Sequence, residues 1–222
     1  MSSFHPEILA RAQRRFWEEL APSLPQEWVL YDGTAIALRY GHRKSVDFDF
    51  FSDQPLNEKR LHAALPSLAD ATVLEQAPRT LVALLRVTGK PIKLSFFGGM
   101  KIGRVGDPEH LDGGPWIASP LDLLATKLKT LHDRVEARDY ADIETLLRGG
   151  VALDRGIAAA RALFGASLNP IDTAKAVGWF EDGDLMRRLS PSTRRYLARV
   201  AAASRPGVAA ARIRSRSLSL KR

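Results

Sequence analysis

Apolar and polar residues follow two different periods along the 222-residue chain, and the change falls near residue 118. Before it, short runs that alternate with a two-residue period stand between helical stretches. After it, apolar residues recur almost only at the three- and four-residue spacing of helices. The pattern predicts an α+β core over residues 1–118, built on a mixed or antiparallel sheet with flanking helices. A helical subdomain over residues 119–204 is expected to follow.

Within the first part, a helix is expected over residues 6–20, with a break at Pro22 and Pro25. A short helix over residues 34–40 is expected to stop at Gly41. Further elements are predicted as strands at 28–31, 46–51, 72–77, 80–88 and 91–97, and a helix at 57–65. Gly89-Lys90 suits the turn of a hairpin between the last two strands. Residues 98–118 are rich in Gly and Pro and predict a loop, with one strand around 102–105.

The second part begins with Ser119-Pro120, where Ser is a favourable N-cap and Pro a favourable first helical residue. Helices are predicted near 120–132, 137–148, 153–164, 170–178 and 190–203.

Composition narrows the class of protein. The chain is 45% hydrophobic and 26% charged, as in ordinary globular proteins. The absence of cysteine excludes disulfides, thiolate metal sites and cysteine nucleophiles. No apolar run approaches the roughly 18 residues of a membrane span, and the N-terminus does not resemble a signal peptide. The expected location is therefore the cytoplasm.

The net charge of +8 is concentrated at the C-terminus, where residues 205–222 contain six basic residues and no acidic one. Such a segment predicts either contact with a phosphate backbone or a solvated, flexible tail.

The segment with the most chemistry is Gly33-Thr34, followed twelve residues later by Asp47-Phe48-Asp49. Side chains two apart on a strand share a face, so the two carboxylates project together, and the aromatic flanks indicate that the opposite face is buried. Paired carboxylates suit Mg²⁺ (or Mn²⁺) with substrate phosphates in its shell. A glycine before a helix presents backbone N–H groups to a phosphate, and the Thr34 hydroxyl adds a donor. Alternatively, Gly33 is only a turn glycine and Asp49 only caps a neighbouring helix.

Two stretches around this segment carry a family pattern, namely residues 31–38 (YDGTAIAL) and 41–51 (GHRKSVDFDFF). Later matches are residues 122–128 (DLLATKL) and 134–143 (RVEARDYADI). Together they resemble the AbiEii/AbiGii-type nucleotidyltransferases, a family grouped with minimal nucleotidyltransferases and with toxins of type IV toxin–antitoxin systems. The resemblance covers roughly residues 25–150.

The resemblance implies a nucleotidyltransferase fold and a Mg²⁺-dependent enzyme that moves NMP from an NTP to an acceptor. It implies that the helical subdomain completes the active site. Asp47 and Asp49 would hold the metal, Lys127 would contact the triphosphate, and Asp142 would be a catalytic or metal-organising acid. The remaining NTP-binding residues would be Gly33, Thr34, Arg43 and Ser45. The acceptor would be an RNA such as tRNA, which the basic tail favours slightly, or a protein, and a cognate antitoxin protein would be a partner.

Two positions depart from the family pattern. Asp32 replaces the first glycine of the usual Gly-Gly or Gly-Ser turn, which would weaken NTP binding or add a metal ligand. Ser95 stands where many nucleotidyltransferases have a third carboxylate, and a serine cannot replace a carboxylate as a base near neutral pH. A catalytically degenerate nucleotide- or RNA-binding module is therefore a second hypothesis, and antibiotic nucleotidylation is a third.

Overall fold

The structure, a computed structural model, describes residues 4–111, 114–166 and 168–220, which group into two compact units. Unit 1 comprises Met1–Gly103, Asp107–Ser119 and Ser215–Arg222, and unit 2 comprises Arg104–Gly106 and Pro120–Arg214. Among the described residues, no helix is both long and apolar enough to cross a membrane.

Unit 1 is built on a seven-stranded mixed sheet. Its strands are β1 (Val29–Tyr31), β2 (Asp47–Phe51), β3 (Thr72–Ala77), β4 (Thr80–Val87), β5 (Lys90–Phe97), β6 (Glu109–His110) and β7 (Trp116–Ile117). The strand order is β3-β4-β5-β2-β1-β7-β6. β2 pairs with β5 and β1 with β7 in parallel, whereas the other neighbours are antiparallel. The predicted α+β class with a mixed sheet is thus confirmed.

The helices of unit 1 are α1 (Arg11–Ser23), α2 (Asp32–Tyr40) and α3 (Glu58–Ala64). Part of the core is an aromatic cluster, which forms because alternate residues of β2 point towards α1. The Phe48 ring lies 6.2 Å from Phe16 and 5.6 Å from Trp17 of α1, and the Phe50 ring lies 5.3 Å from Phe96 of β5. Each buried ring removes much apolar area from water, so this cluster fixes which face of β2 points outward.

Arg39 of α2 fastens the helix to the β7 edge of the sheet. Its side chain is buried, and its guanidinium donates to the Ala118 carbonyl at 3.0 and 3.2 Å and pairs with Glu109 at 2.6 Å. A buried guanidinium is tolerated here because its donors are satisfied by a carboxylate and a carbonyl.

Unit 2 is helical, with α4 (Pro120–Asp133), α5 (Ala137–Arg148), α6 (Leu153–Phe164), α7 (Pro170–Val177), α8 (Leu185–Arg188) and α9 (Pro191–Ala203). Helix α4 is central and packs against α5, α6 and α7. Its contact with α6 depends on Gly156, because a Cβ at that position would lie 2.4 Å from Leu124 Cδ2. The short helix α8 was not predicted.

Two other local predictions were wrong. Pro22 does not break the first helix, because it lies in the last turn and the Leu24 N–H still bonds to the Leu20 carbonyl at 2.9 Å. The expected strand at 102–105 is absent from the described chain, where Arg104 forms only an isolated β-bridge. The strands of this region are β6 and β7.

The basic C-terminal segment was expected either to contact a phosphate backbone or to be a flexible tail, and several of its described residues are hydrogen-bonded within the protein. In unit 1, the Asp53 carboxylate accepts the Leu218 N–H at 3.0 Å and the Ser217 hydroxyl at 3.2 Å, and Leu218 is 1% exposed. In unit 2, the Arg214 N–H donates to the Arg104 carbonyl at 2.8 Å. Within each unit, these residues are held because their backbone groups are paired with a carboxylate or a carbonyl.

Candidate active site

The β2 carboxylates occupy the middle of the sheet of unit 1. Along β2, Phe48 and Phe50 are fully buried, whereas Asp47 and Asp49 are partly exposed on the other face. In the register, Asp49 lies between Tyr31 of β1 and Ser95 of β5. The alternation in the sequence therefore places both acids on one face of a central strand, where the core holds them rigidly.

The surroundings of Asp49 on balance disfavour its charged form. Its burial, and then the negative charges of Asp32 and Asp47, raise the pKa of Asp49 to about 6 from an ordinary 3.8, whereas a hydrogen bond with Ser95 and the charge of Lys93 oppose the rise. Partly desolvated carboxylates with like charges nearby favour protonation or the arrival of a cation. Ser95 itself is buried at the place opposite Asp49 where the family pattern would put a third carboxylate.

Asp32 follows β1 directly and has a left-handed backbone, with φ of 56°. Glycine adopts this conformation without strain, which explains physically why the family pattern has glycine here. The extra carboxylate of this chain thus stands at a strained position, where its charge acts on Asp49.

Gly33 and Thr34 form the first turn of α2. Tyr31 is the N-cap residue of α2. Its side chain accepts no hydrogen bond from the backbone N–H groups of this first turn. The Thr34 hydroxyl is buried, shares a hydrogen bond of 2.7 Å with Ser45 Oγ and donates to the Asp47 carbonyl. Thr34 and Ser45 therefore tie the start of α2 to the start of β2, a positioning role that the sequence does not reveal.

Arg43 lies half-buried in the loop between α2 and β2. Its guanidinium donates to the Lys44 carbonyl at 3.1 Å, a contact with the adjacent residue.

Lys127 and Asp142 belong to a buried charge cluster inside unit 2. The Lys127 amine lies 2.7 Å from Asp139 Oδ1 and 3.0 Å from Asp142 Oδ2, and all three side chains are at most 2% exposed. Asp139 and Asp142 meet one amine because they stand three apart on one face of α5. Arg134 adds a second cation, with its Nε 3.0 Å from Asp139 Oδ2. The exposed Arg138 forms an ion pair with Glu136 at 2.5 Å.

The electrostatics of this cluster are opposite to those of β2. Burial alone would raise the pKa of Asp139, but hydrogen bonds from Arg134 and Lys127 and their positive charges outweigh it and hold that pKa below its ordinary value. The carboxylates of α5 thus have cationic partners within the protein. Asp139 was not among the sequence-predicted site residues, although its spacing from Asp142 was a usable signal.

Asp122, also within a matching stretch, has a structural role. Its carboxylate accepts the Val105 N–H at 2.8 Å and the Gly106 N–H at 3.0 Å, which holds residues 104–106 against α4 within unit 2.

Comparison with known proteins is consistent with this geometry. The chain is 31% identical over 144 residues to an uncharacterized protein of Aquifex aeolicus (strain VF5), covering 63% of this chain and 68% of that protein. Among solved structures, JHP933 from Helicobacter pylori matches with a TM-score of 0.58 at 19% identity, covering 87% of this chain and 88% of that one. MenT4, a nucleotidyltransferase toxin from Mycobacterium tuberculosis H37Rv, matches with a TM-score of 0.58 at 13% identity, covering 87% of this chain and 82% of that one.

These structural likenesses show a nucleotidyltransferase fold. Family membership rests on a separate match, since the model of the family "Nucleotidyl transferase AbiEii toxin, Type IV TA system" fits residues 15–212. The chain therefore belongs to the AbiEii nucleotidyltransferase toxin family.

Proposed function

We propose that this protein transfers a nucleoside monophosphate from an NTP to an acceptor hydroxyl, with Asp47 and Asp49 as ligands of a Mg²⁺ or Mn²⁺ ion. The observation that supports this most is the pair of β2 carboxylates on one face of a rigid strand, with the pKa of Asp49 raised by burial and by neighbouring acids. The acceptor hydroxyl releases its proton to solvent and its oxygen becomes bonded to the α-phosphorus. The bond between the α-phosphorus and the oxygen that bridges to the β-phosphorus breaks, and pyrophosphate leaves.

The donor set fits the implied metal. Hard divalent cations prefer carboxylate oxygens, and the two side chains project from the same side of β2. When bound, such an ion neutralises charge on the triphosphate oxygens. The chain's own contribution is placement: the aromatic core fixes β2, and the Thr34 and Ser45 hydroxyls hold the backbone at Asp47.

Further roles are part of the same proposal. Gly33, at the first turn of α2, would bring backbone N–H groups close to a phosphate, with Arg43 in the adjoining loop as a further cation. Asp142 is proposed as a catalytic or metal-organising acid. For Lys127 we propose a positioning role first, because its amine is already bonded to Asp139 and Asp142.

The acceptor is proposed to be RNA or a protein, and the reaction is proposed to act as that of a type IV toxin with a cognate antitoxin protein. The test is incubation of the full chain with each α-labelled NTP, Mg²⁺ and total RNA. Asp47→Asn and Asp49→Asn should abolish label transfer, whereas the matched control Asp70→Asn, an exposed aspartate outside the site, should retain it. Equal transfer by all four proteins would refute the assignment of the β2 carboxylates.

A degenerate binding module is the second candidate, and Ser95 opposite Asp49 favours it because that place has no third carboxylate. Binding of Mg²⁺ and NTP without transfer of label to any RNA or protein would select this alternative.

A further inference from the structure

A second chemical feature lies within unit 2, away from the charge cluster of α4 and α5. A cavity of about 400 Å³ is lined by Arg148, Ser192, Arg195, Tyr196 and Arg199, here called the arginine pocket. Arg148 ends α5, and the other four residues lie in the first three turns of α9. Three guanidinium groups therefore line one concave site whose described lining includes no carboxylate.

Two of the pocket residues hold each other in place. Arg148 Cζ lies 3.9 Å from the centre of the Tyr196 ring, and the same guanidinium is bonded to Glu144 at 2.9 Å. A guanidinium that stacks on an aromatic ring and is anchored by a carboxylate loses less freedom when it binds a ligand. Glu144 offsets one of the three positive charges, so an excess of positive charge remains.

The other two arginines keep their donors available. Arg195 and Arg199 are exposed and stand four apart on α9, so they lie on the same helical face. Within the described chain, neither Arg195 nor Arg199 makes a hydrogen bond or ion pair, and Arg199 Cζ lies 5.7 Å from the centre of the Tyr196 ring. Like charges held one helical turn apart repel, and an anion between them would relieve that repulsion.

We propose that the arginine pocket binds the phosphate backbone of single-stranded RNA. Guanidinium groups match phosphate oxygens in a bidentate geometry, and the cavity is of a size for a nucleotide. Single-stranded RNA binds to basic grooves that follow its backbone, and its bases stack on aromatic rings or on the planes of arginine guanidinium groups. A flat anionic membrane would not need a concave site. The inference rests on the proposed function only for the suggestion that the bound RNA is the transfer acceptor.

The test measures binding of a fluorescein-labelled single-stranded RNA oligonucleotide to the full chain in EDTA, over about 50 to 200 mM salt. The pocket variant is Arg195→Gln/Arg199→Gln. The charge-matched control is Arg155→Gln/Arg161→Gln, two exposed arginines of α6 outside the pocket. Two lost phosphate contacts should make the slope of log K against log salt shallower by about 1.4, which is a loss of about 25-fold in affinity at 0.1 M salt relative to 1 M salt.

A loss confined to the pocket variant, with its thermal unfolding unchanged, supports the proposal. An equal loss in the control variant means diffuse electrostatic attraction and overturns it, as does unchanged RNA binding by the pocket variant. Pocket-dependent binding of an acidic peptide or of phosphatidylserine vesicles in place of RNA also overturns it. The same measurement on Asp47→Asn/Asp49→Asn keeps the two proposals apart, since that variant should lose transfer and still bind RNA.

Discussion

Replacing Asp32 by glycine changes both the backbone and the charge at the turn before α2. The backbone φ of 56° costs a non-glycine residue about 1 kcal/mol, at the lower end of the range because aspartate tolerates this conformation better than most residues. Glycine removes that strain but loses about 0.5–1 kcal/mol through the greater freedom of the unfolded chain. The two backbone effects nearly cancel, so the charge decides the outcome.

The charge effect follows from Asp49, whose pKa is about 6 in the folded protein against an ordinary 3.8. A carboxyl with a raised folded pKa contributes stability below its ordinary pKa and loses it as the pH rises through the folded value. Each unit of pKa difference corresponds to about 1.4 kcal/mol, and Asp32 is the second cause of the rise after burial. We therefore expect Asp32→Gly to gain about 0.5–1 kcal/mol at pH 7 and nothing below about pH 4.

The assay is urea denaturation of metal-free protein at pH 4 and pH 7, with the Asp49 carboxyl followed by NMR titration. Asp32→Asn is the matched control, because it removes the charge and keeps a side chain that tolerates the left-handed backbone. Both variants should lower the pKa of Asp49. If that pKa stays at about 6 in both, Asp32 does not act on Asp49 and the reasoning is wrong.

Three further predictions concern unit 2. Lys127→Met should destabilise the fold by about 3–5 kcal/mol in urea denaturation, because it leaves two buried carboxylates without their amine, and a change under 1 kcal/mol would contradict the positioning role. Arg134→Gln should raise the pKa of Asp139; since that carboxylate contributes stability that is lost as the pH falls, the acid-unfolding midpoint followed by circular dichroism should move to higher pH. Gly156→Ala should lower the free energy of unfolding by about 1–3 kcal/mol, measured by thermal denaturation, because the added Cβ would overlap the Leu124 side chain. An unchanged melting temperature would show that the packing of α4 on α6 adjusts to the added methyl group without cost.

Periodicity predicts the elements well where local pattern and tertiary packing agree. The alternation of Asp and Phe along β2 indicated a strand with one buried face, and the structure has that strand at Asp47–Phe51. The hairpin between β4 and β5 was likewise indicated, although its two turn residues are Thr88 and Gly89, both with positive φ, and Lys90 already belongs to β5. Both signals are local, because side-chain alternation and turn chemistry depend on a few adjacent residues.

The partners of polar groups were not predictable in the same way. Thr34 bonds to Ser45 and Asp47, and Lys127 to Asp139 and Asp142, across separations that a linear pattern does not encode. In the sequence, Thr34 at the start of a helix and Lys127 within a helix are each compatible with phosphate binding and with hydrogen bonding inside the protein. Only the distances show that these donors are already engaged.

The two groups of acids therefore differ in how their charge is balanced. Asp139 is buried with Lys127 and Arg134, and its lowered pKa shows that the protein supplies enough positive charge to keep it ionised. Asp49 has Asp32 and Asp47 as its charged neighbours of greatest effect, and its raised pKa shows the opposite balance. A carboxylate placed on a central strand beside other carboxylates lowers the free energy of unfolding. A residue with only a structural role would not require that loss of stability. That imbalance is the physical reason for proposing that a cation from solution binds at β2, and for proposing that the charge cluster of unit 2 holds Asp142 in position.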